Sequence, residues 1–387
     1  MLKRPVRLAD QLQAYGVVSR ARDRRTSTIV ALKQVRIERD ERQNGIPITA
    51  LREISILRSL SHANIVNVLD VAASAGQQGN RDGEPSSDLD QVYMVMEYAE
   101  QDMANLLDEL HVQFKLSEVK CLFRQLLEGL EYLHRNDIIH RDIKMQNLLL
   151  TARGILKIAD FGMAREYSAR PLTAGVVTIW YRAPELLLGA RQYTPAVDLW
   201  SAGIVLGELL LSEPVLPGER EVDQLALIVK LLGSPSSADL GALSEMGCPE
   251  LLQWRRTSLP PGRVDNLARK FSTTTTGTVA MLAGLLKWDP RARWTASEAL
   301  GKKPHAYLAD AEAWWRENPK EIDRALLPTF PEVRNRSDAE TARARHGVRH
   351  RQGDNEAKAD SYDMDGYVFD FDGVSQAKRG TKRHKAW

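Results

Sequence analysis

The chain is poor in the residues that mark several classes of protein. It contains only two cysteines, Cys121 and Cys248, which excludes a disulfide scaffold and a cysteine-based metal cluster. No apolar run reaches the roughly 18 residues of a membrane span, and the N-terminal residues Met-Leu-Lys-Arg-Pro lack the apolar core of a signal peptide. The 53 basic and 51 acidic residues nearly cancel, so no overall field favours nucleic acid as a direct partner. We therefore expect a protein of the cytoplasm, the nucleus or both, without membrane contact.

The composition is sufficient for a large folded protein. Hydrophobic residues make up 43% of the 387 residues, which suits two packed lobes or one large domain with an appendage. Residues 29–35 and 91–97 have the pattern of strands, and residues 49–60 have helical spacing. Residues 73–90 are rich in Gly, Ser, Gln and Asp, which predicts an exposed loop.

The pattern becomes helical after about residue 100. Residues 117–134 and 198–211 predict long helices, the second opened by Thr194-Pro195 and apolar on nearly all sides. The sequence thus predicts an α+β protein with a small β-rich lobe containing one helix at 1–99 and a larger helical lobe at 100–334. The mixed charge of residues 335–387 predicts a disordered tail, in which Tyr367–Phe371 is a short apolar patch suited to docking.

Three motifs carry the chemistry: His140–Asn147, Asp160-Phe161-Gly162 and Ala183-Pro184-Glu185. Phosphoryl transfer needs a carboxylate that orients and deprotonates the attacking hydroxyl, and ligands that hold magnesium on the nucleotide phosphates. Asp142 fits the first role.

The remaining residues of these motifs and their neighbours fit supporting roles. Asn147 and Asp160 suit Mg²⁺, Lys144 can neutralise the transferred phosphate, and Thr178 can hydrogen-bond both Asp142 and Lys144.

In this order the motifs resemble the catalytic half of a protein kinase, which implies a bilobal kinase fold that uses ATP and Mg²⁺. A lysine at position 144 in the catalytic loop makes the sequence resemble that of a serine/threonine kinase. Lys33, after Val30-Ala31-Leu32, corresponds to the lysine that grips the nucleotide phosphates, and Glu53 is its expected ion-pair partner.

The same resemblance assigns the rest of the nucleotide site and its supports. The backbone of Glu97 and Ala99 is expected to bind the adenine edge, and Asp102 the ribose hydroxyls. Structural rather than chemical roles are expected for His140 and Phe161, for an ion pair between Glu185 and Arg293, and for Asp198, which would anchor the catalytic loop's backbone. The residues expected to enclose the base and phosphates are Gly16, Val18, Ala31, Met96 and Leu149.

A closer resemblance rests on Pro47–Glu53, which looks like the PSTAIRE-type helix of cyclin-dependent kinases, most like their PITSLRE and PISSLRE branch. Residues 176–185 and 216–225 agree with it, and the resemblance covers about residues 14–335. It implies activation by a cyclin that holds the Glu53 helix inward. Leu51 on this helix is either a partner contact or an inward core residue.

The family's activating phosphorylation site matches Thr173, and its three phosphate-binding arginines match Arg52, Arg141 and Arg165. Phosphate adds almost two negative charges, so three guanidinium groups around it would order the loop. Val177 and Arg182 match the positions that shape a pocket for a proline, which implies protein substrates with Ser-Pro or Thr-Pro sites.

The Gly-rich loop departs from the family pattern. Gln11 and Gln13 occupy two of its three glycine positions and only Gly16 remains, which we expect to weaken nucleotide binding because glycine permits close approach to phosphates. Either the loop is degraded or the true first strand is missing through a deletion or a misread gene boundary. The leading interpretation is an active kinase, and the alternative is a catalytically weak pseudokinase that serves as a cyclin-binding scaffold. The basic run 378–385 is a solvated charge run or a nuclear-import signal.

Overall fold

The computed structural model describes the following residues: 18–35, 48–75, 89–166, 179–190, 192–251, 254, 266–302, 309–316, 363–364 and 367–368. Contacts between Cα atoms divide the chain into two compact units, whose first unit runs to Ile54, resumes over Val68–Tyr98 and includes the C-terminal strands. The second unit contains Ser55–Asn67 and the described residues from Ala99 to Arg316.

The first unit is built on an antiparallel sheet. Its strands are β1 (Val18–Asp23), β2 (Ile29–Val35), β3 (Val68–Ala75) and β4 (Leu89–Glu97), and β2 lies between β1 and β4 with β3 beyond. Valine, isoleucine and aromatic residues favour this pleated, half-buried environment. Strand β2 has the bounds that its sequence predicts.

The two faces of this sheet bury different residues. On one face Val30 and Leu32 of β2 pack with Tyr93 and Val95 of β4. On the other face Val35, Val92 and Met94 pack with Ile54. Because successive side chains of a strand point to opposite faces, this alternation is what the spacing of apolar residues in β2 and β4 specifies.

Helix α1 (Ile48–Ser59) supplies Ile54 to that second face. Glu53 and Ile54 are buried, whereas Leu51 and Arg52 are exposed. The predicted helix over 49–60 is confirmed. Core packing, one of the two expectations for Leu51, is wrong, because the side chain is 48% exposed.

The predicted loop at 73–90 is too long at both ends. Strand β3 extends to Ala75 and β4 begins at Leu89, with Ala73 paired to Val92 and Ala75 to Leu89. Small and polar residues have low strand propensity, but pairing with a neighbouring strand overrides that local preference.

Two short strands from the C-terminal segment extend the sheet beyond β1. They are β10 (Asp363–Met364) and β11 (Tyr367–Val368), and β11 pairs antiparallel with β1. These four residues form strands within a segment for which the sequence predicts disorder, and Tyr367 and Val368 belong to the patch predicted to dock.

The second unit is mainly helical and has α5 (Ala196–Leu211) at its centre, with α3 (Leu116–Arg135) packed against it. Helix α5 is buried on nearly all sides, as its sequence predicts. The other described helices are α2 (Met103–Asp108), α4 (Pro184–Leu187), α6 (Glu221–Leu232), α7 (Ser237–Glu245), α8 (Asn266–Lys270), α9 (Thr276–Leu285), α10 (Ala296–Ala299) and α11 (Ala309–Arg316).

Short strands in this unit position the loops that carry the motifs. Strands β5 (Gln101–Asp102), β7 (Leu148–Leu150) and β8 (Leu156–Ile158) form a small sheet, and β6 (Ile138–Ile139) pairs with β9 (Arg165–Glu166). None of the helices in the described part of the chain is long and apolar enough to cross a membrane. The result is an α+β fold with a β-rich first unit and a helical second unit, as the sequence predicts.

Candidate active site

The first unit contains a buried ion pair between β2 and α1. Lys33 Nζ lies 2.9 Å from Glu53 Oε1, and both side chains are almost fully buried. The pairing follows from the register of β2, which directs Lys33 to the face that α1 covers. The predicted contact between these residues is confirmed, and it leaves the lysine charge compensated and its ammonium fixed in position.

The second unit holds Asp142 in a loop between β6 and β7. Asn147 donates from Nδ2 to Asp142 Oδ2 at 2.9 Å and to the Asp142 carbonyl at 2.8 Å. Lys144 Nζ lies 2.8 Å from the same Oδ2. Among the described residues, the side-chain contacts to this carboxylate therefore converge on one oxygen, Oδ2.

Asp198, at the start of α5, fixes the backbone of this loop. Its Oδ2 accepts from the backbone N–H of His140 at 2.9 Å, and its Oδ1 accepts from that of Arg141 at 2.8 Å. Burial alone would raise the pKa of Asp198, but the bond to His134 at 2.9 Å and those to the loop keep its pKa below the usual value. The predicted anchoring role of Asp198 is confirmed.

His140 of the first motif packs against Phe161 of the second motif. Their rings meet edge to face, with centroids 4.8 Å apart, and His140 Nε2 lies 3.1 Å from the Ala159 carbonyl oxygen. Complete burial lowers the pKa of His140, so the ring is neutral at physiological pH. The contact between the two rings agrees with the packing expected from the sequence.

Two loop residues adopt left-handed backbone conformations without being glycine. Arg141 has φ of 70° and Asp160 has φ of 63°. Such conformations cost roughly 1–2 kcal/mol each, and they persist where the surroundings hold them, as the bond from Arg141 N to Asp198 does.

Asn147 and Asp160 fit the magnesium role in their donor chemistry. The amide nitrogen of Asn147 donates to Asp142, so its Oδ1 is the atom available to a cation, and Asp160 is half-buried. No group of three or more His, Cys, Asp and Glu in the described ranges forms a metal site by itself. Mg²⁺ is commonly held by one or two carboxylates together with waters and substrate phosphates, so these two residues suit an ion that arrives with the nucleotide.

The expected adenine-site residues are distributed over both units. In the first unit, Val18 begins β1, Ala31 lies buried in β2, and Met96 and Glu97 end β4. Ala31 is paired directly with Met96 across the ladder. These positions are neighbours on one sheet, as the sequence register implies.

In the second unit, Leu149 of β7 is paired with Asp102 of β5, and Ala99 lies just before β5. Asp102 also caps α2, because its carboxylate accepts from the backbone N–H of Asn105 at 2.8 Å. Burial raises the pKa of Asp102. The sequence analysis did not predict this helix cap.

Arg141 and Arg165 are brought together around Tyr193. Arg141 donates to the Tyr193 hydroxyl at 2.7 Å and to the carbonyl of Met163. Arg165 lies in β9, opposite Ile139 of β6. Burial raises the pKa of Tyr193, and the charges of Arg141 and Arg165 oppose that rise. Arg52 is exposed on α1. Other expected site residues lie outside the described residues: Gly16, Thr173, Val177 and Thr178.

Arg182, expected at the proline pocket, is half-buried and forms an ion pair with Glu221 at the start of α6, at 2.8 Å. The preceding Tyr181 donates to Glu208 of α5 at 2.6 Å. Burial raises the pKa of Glu208 to about 7. The sequence analysis did not predict the contact between Tyr181 and Glu208. The one glutamate within the largely apolar stretch 199–211 was the feature that could have indicated a buried polar contact.

Glu185 of the third motif forms a fully buried, bidentate ion pair with Arg293. Both nitrogen–oxygen distances are 2.6 Å. Arg293 also donates to the Lys287 carbonyl at 2.8 Å and packs over the Trp200 ring. The predicted structural pair is confirmed.

Comparisons with known proteins identify the family and its similar members. The protein kinase domain family matches residues 14–304. The chain is 42% identical to human cyclin-dependent kinase 10 over 84% of this chain and 83% of the relative. It is 41% identical to cyclin-dependent kinase 11 of Dictyostelium discoideum over 82% of this chain and 81% of the relative. Among solved structures it resembles the yeast RNA Pol II CTD kinase CTDK-1 complex with a TM-score of 0.65 and 34% identity, covering 78% of this chain and 92% of that chain.

Proposed function

This chain belongs to the protein kinase family, in its cyclin-dependent serine/threonine branch, and on that premise we propose that it phosphorylates Ser-Pro and Thr-Pro sites of proteins. We further propose that it does so with ATP and Mg²⁺, when bound to a cyclin and phosphorylated on Thr173.

The observation that carries the proposal is the environment of Asp142. Phosphoryl transfer depends mainly on positioning and on charge stabilisation. Asn147 and Lys144 both contact Oδ2 of Asp142, and Asp198 holds the backbone of the two residues before it. The other carboxylate oxygen is therefore oriented to accept the proton of an attacking serine or threonine hydroxyl.

Lys144 has a second task in this arrangement. Its ammonium lies beside the carboxylate that receives the substrate proton, so it is positioned to compensate charge on the phosphoryl group during transfer. Because Lys144 is half-buried rather than exposed, solvent screens that charge less than it would screen a surface lysine.

The nucleotide phosphates and the metal are assigned to separate residues. Lys33, fixed by Glu53, is proposed to bind the α and β phosphates, and Asn147 and Asp160 to hold magnesium. The bound ion supplies charge neutralisation on the phosphates. These assignments predict that substitutions at Lys33 act on nucleotide use and leave the fold of the second unit unchanged.

Dependence on a cyclin is supported by the exposed face of α1. The helix buries Glu53 and Ile54 but presents Leu51, which is 48% exposed, to the outside. A cyclin that covers Leu51 would fix the rotation of the helix and therefore the position of Glu53 relative to Lys33. Leu51→Glu is expected to abolish cyclin capture, whereas Leu69→Glu, at an exposed leucine of β3 outside α1, is the matched control.

Activation through Thr173 is supported by Arg141 and Arg165, because Arg165 of β9 is paired with Ile139, two residues before Arg141. Two guanidinium groups at one place form a receptor for a phosphate. The preference for proline is supported by the family match at Val177 and Arg182. The test is phosphorylation of paired Ser-Pro and Ser-Ala peptides with a candidate cyclin. We expect the first peptide to be preferred by at least about tenfold, and equal rates would refute the proline specificity.

A second candidate function, a cyclin-binding scaffold of low activity, is favoured by Gln11 and Gln13 in the Gly-rich loop. It predicts normal cyclin binding with negligible phosphate transfer under every cyclin tested. The intact set of Lys33, Glu53, Asp142, Asn147 and Asp160 favours the enzyme, because a scaffold has no chemical need of this combination.

A further inference from the structure

The C-terminal segment of this chain forms a hairpin that adds two strands to the sheet of the first unit. Val368 of β11 lies opposite Arg22 of β1, and Tyr367 lies opposite Asp23. Strand β10 then pairs with β11, with Met364 opposite Tyr367. The six-stranded order is β10-β11-β1-β2-β4-β3.

We propose that the β1 edge of this sheet is a docking site whose occupant is residues 363–368 of the same chain. An edge strand presents unpaired backbone groups that bind another strand, and proteins commonly cover such edges. Among the described residues, the strands paired with β1 are β2 and β11, so the tail strand occupies the edge of β1 that faces away from β2.

The hairpin reaches the other edge of the sheet as well. Strand β10 comes within 8 Å, Cα to Cα, of β3, which is the last strand at the opposite end of the order. The hairpin therefore pairs with β1 and lies near β3, and among the described residues no ladder joins β10 to β3.

The sequence of the segment agrees with this role. The two residues between the strands are Asp365-Gly366, a pair that strongly favours two-residue hairpin connections. Charge complementarity also selects this occupant. β1 and the turn after it contain four arginines, at 20, 22, 24 and 25, and residues 363–372 contain four aspartates, at 363, 365, 370 and 372, and no basic residue.

Attachment to the same chain favours this segment over a second copy. Two two-residue strands form too small a contact to bind firmly as a separate peptide. A covalent connection makes docking an intramolecular step and so raises the effective concentration of the segment at this edge. Residues 317–362 connect α11 to the hairpin, and a chain of that length can span up to ~150 Å at about 3.3 Å per residue. The connection is therefore long enough for the hairpin to pair with β1.

The test is disulfide trapping in the full chain. Arg22→Cys with Val368→Cys places two thiols on directly opposed residues, within the range that a disulfide spans. The control, Arg22→Cys with Met364→Cys, places the second thiol one strand further away, at roughly 9–10 Å. The native cysteines, Cys121 and Cys248, are buried and do not compete.

We expect the opposed pair to form an intramolecular disulfide at least about tenfold faster than the control pair, with the protein remaining monomeric on a non-reducing gel. Equal rates, or cross-linked dimers as the main product, would overturn the assignment; dimers would identify a second copy as the occupant.

A second measurement does not depend on disulfide geometry. Val368→Pro removes a backbone donor and disfavours strand pairing, whereas Val374→Pro changes the tail beyond the described hairpin. In the full chain, amide exchange of residues 18–23 is expected to accelerate on the order of tenfold in Val368→Pro and to stay unchanged in Val374→Pro. Unchanged exchange in both variants would refute the docking of this segment.

Discussion

Arg293 and Glu185 share two nitrogen–oxygen contacts of 2.6 Å, and neither side chain is exposed to solvent. The chain also offers a matched surface pair two residues away, because Arg291 contacts Glu245 at 2.8 Å with both side chains largely exposed. The two arginines therefore separate the effect of burial from the effect of charge.

Arg293→Met is expected to lower the free energy of unfolding by about 3–5 kcal/mol, because it leaves the Glu185 carboxylate buried without its partner. Arg291→Met should change it little, since water already solvates that pair. Urea denaturation followed by circular dichroism measures both. A similar loss in the two variants would contradict the structural role of the buried pair.

The buried Glu208 predicts how stability depends on pH. Burial raises its folded-state pKa from 4.5 to about 7, so between these values the folded protein holds a proton that the unfolded chain has released. The free energy of unfolding should therefore fall as pH rises from about 4.5 to 7, by on the order of 3 kcal/mol.

Glu208→Gln keeps an acceptor for the Tyr181 hydroxyl but does not titrate. Its stability should fall less than that of the natural protein across this pH range, as measured by denaturation at pH 5 and pH 7.5. Glu245→Gln, at an exposed position, is the control. A parallel fall in the natural protein and in Glu208→Gln would show that Glu208 is not the titrating group.

The ion pair of Lys33 and Glu53 predicts a specific kinetic defect. Glu53→Gln removes the charge that fixes the Lys33 ammonium, and we expect kcat with a bound cyclin to fall by about a hundredfold. Arg52→Gln, which changes an exposed neighbour on the same helix, should retain activity with unphosphorylated Thr173. If Glu53→Gln kept full activity, the assignment of Lys33 to the phosphates would be wrong.

Phosphorylation of Thr173 is predicted to raise activity through Arg141 and Arg165. Thr173→Ala should remain at the low activity of the dephosphorylated protein, and Arg165→Gln should lose most of the gain that phosphorylation gives. Phosphatase treatment followed by a peptide assay measures this. No difference between phosphorylated and dephosphorylated protein would exclude the switch.

The motifs predicted the contacts between residues whose chemical roles require a specific partner. Three pairings followed from the sequence: Lys33 with Glu53, Glu185 with Arg293, and Asp198 with the catalytic loop. Each joins residues whose chemical roles require a partner, so the motif implied the contact.

Other features depend on where distant segments meet, and no local pattern specifies them. Tyr181 and Glu208 are brought together by the packing of α5, and Asp102 became a helix cap because α2 begins one residue later. The pairing of β11 with β1 joins residues more than 340 positions apart in sequence, and only the folded chain shows it.

In the proposed mechanism Asp142 accepts the proton of a substrate hydroxyl. The most direct test compares phosphate transfer to a Ser-Pro peptide by the natural chain and by Asp142→Asn, both in complex with the same cyclin. Asparagine preserves the shape of the side chain and a contact with Lys144 but is not a base, so we predict a loss of at least about a hundredfold in kcat with cyclin binding unchanged. Equal rates in the two complexes would contradict the account.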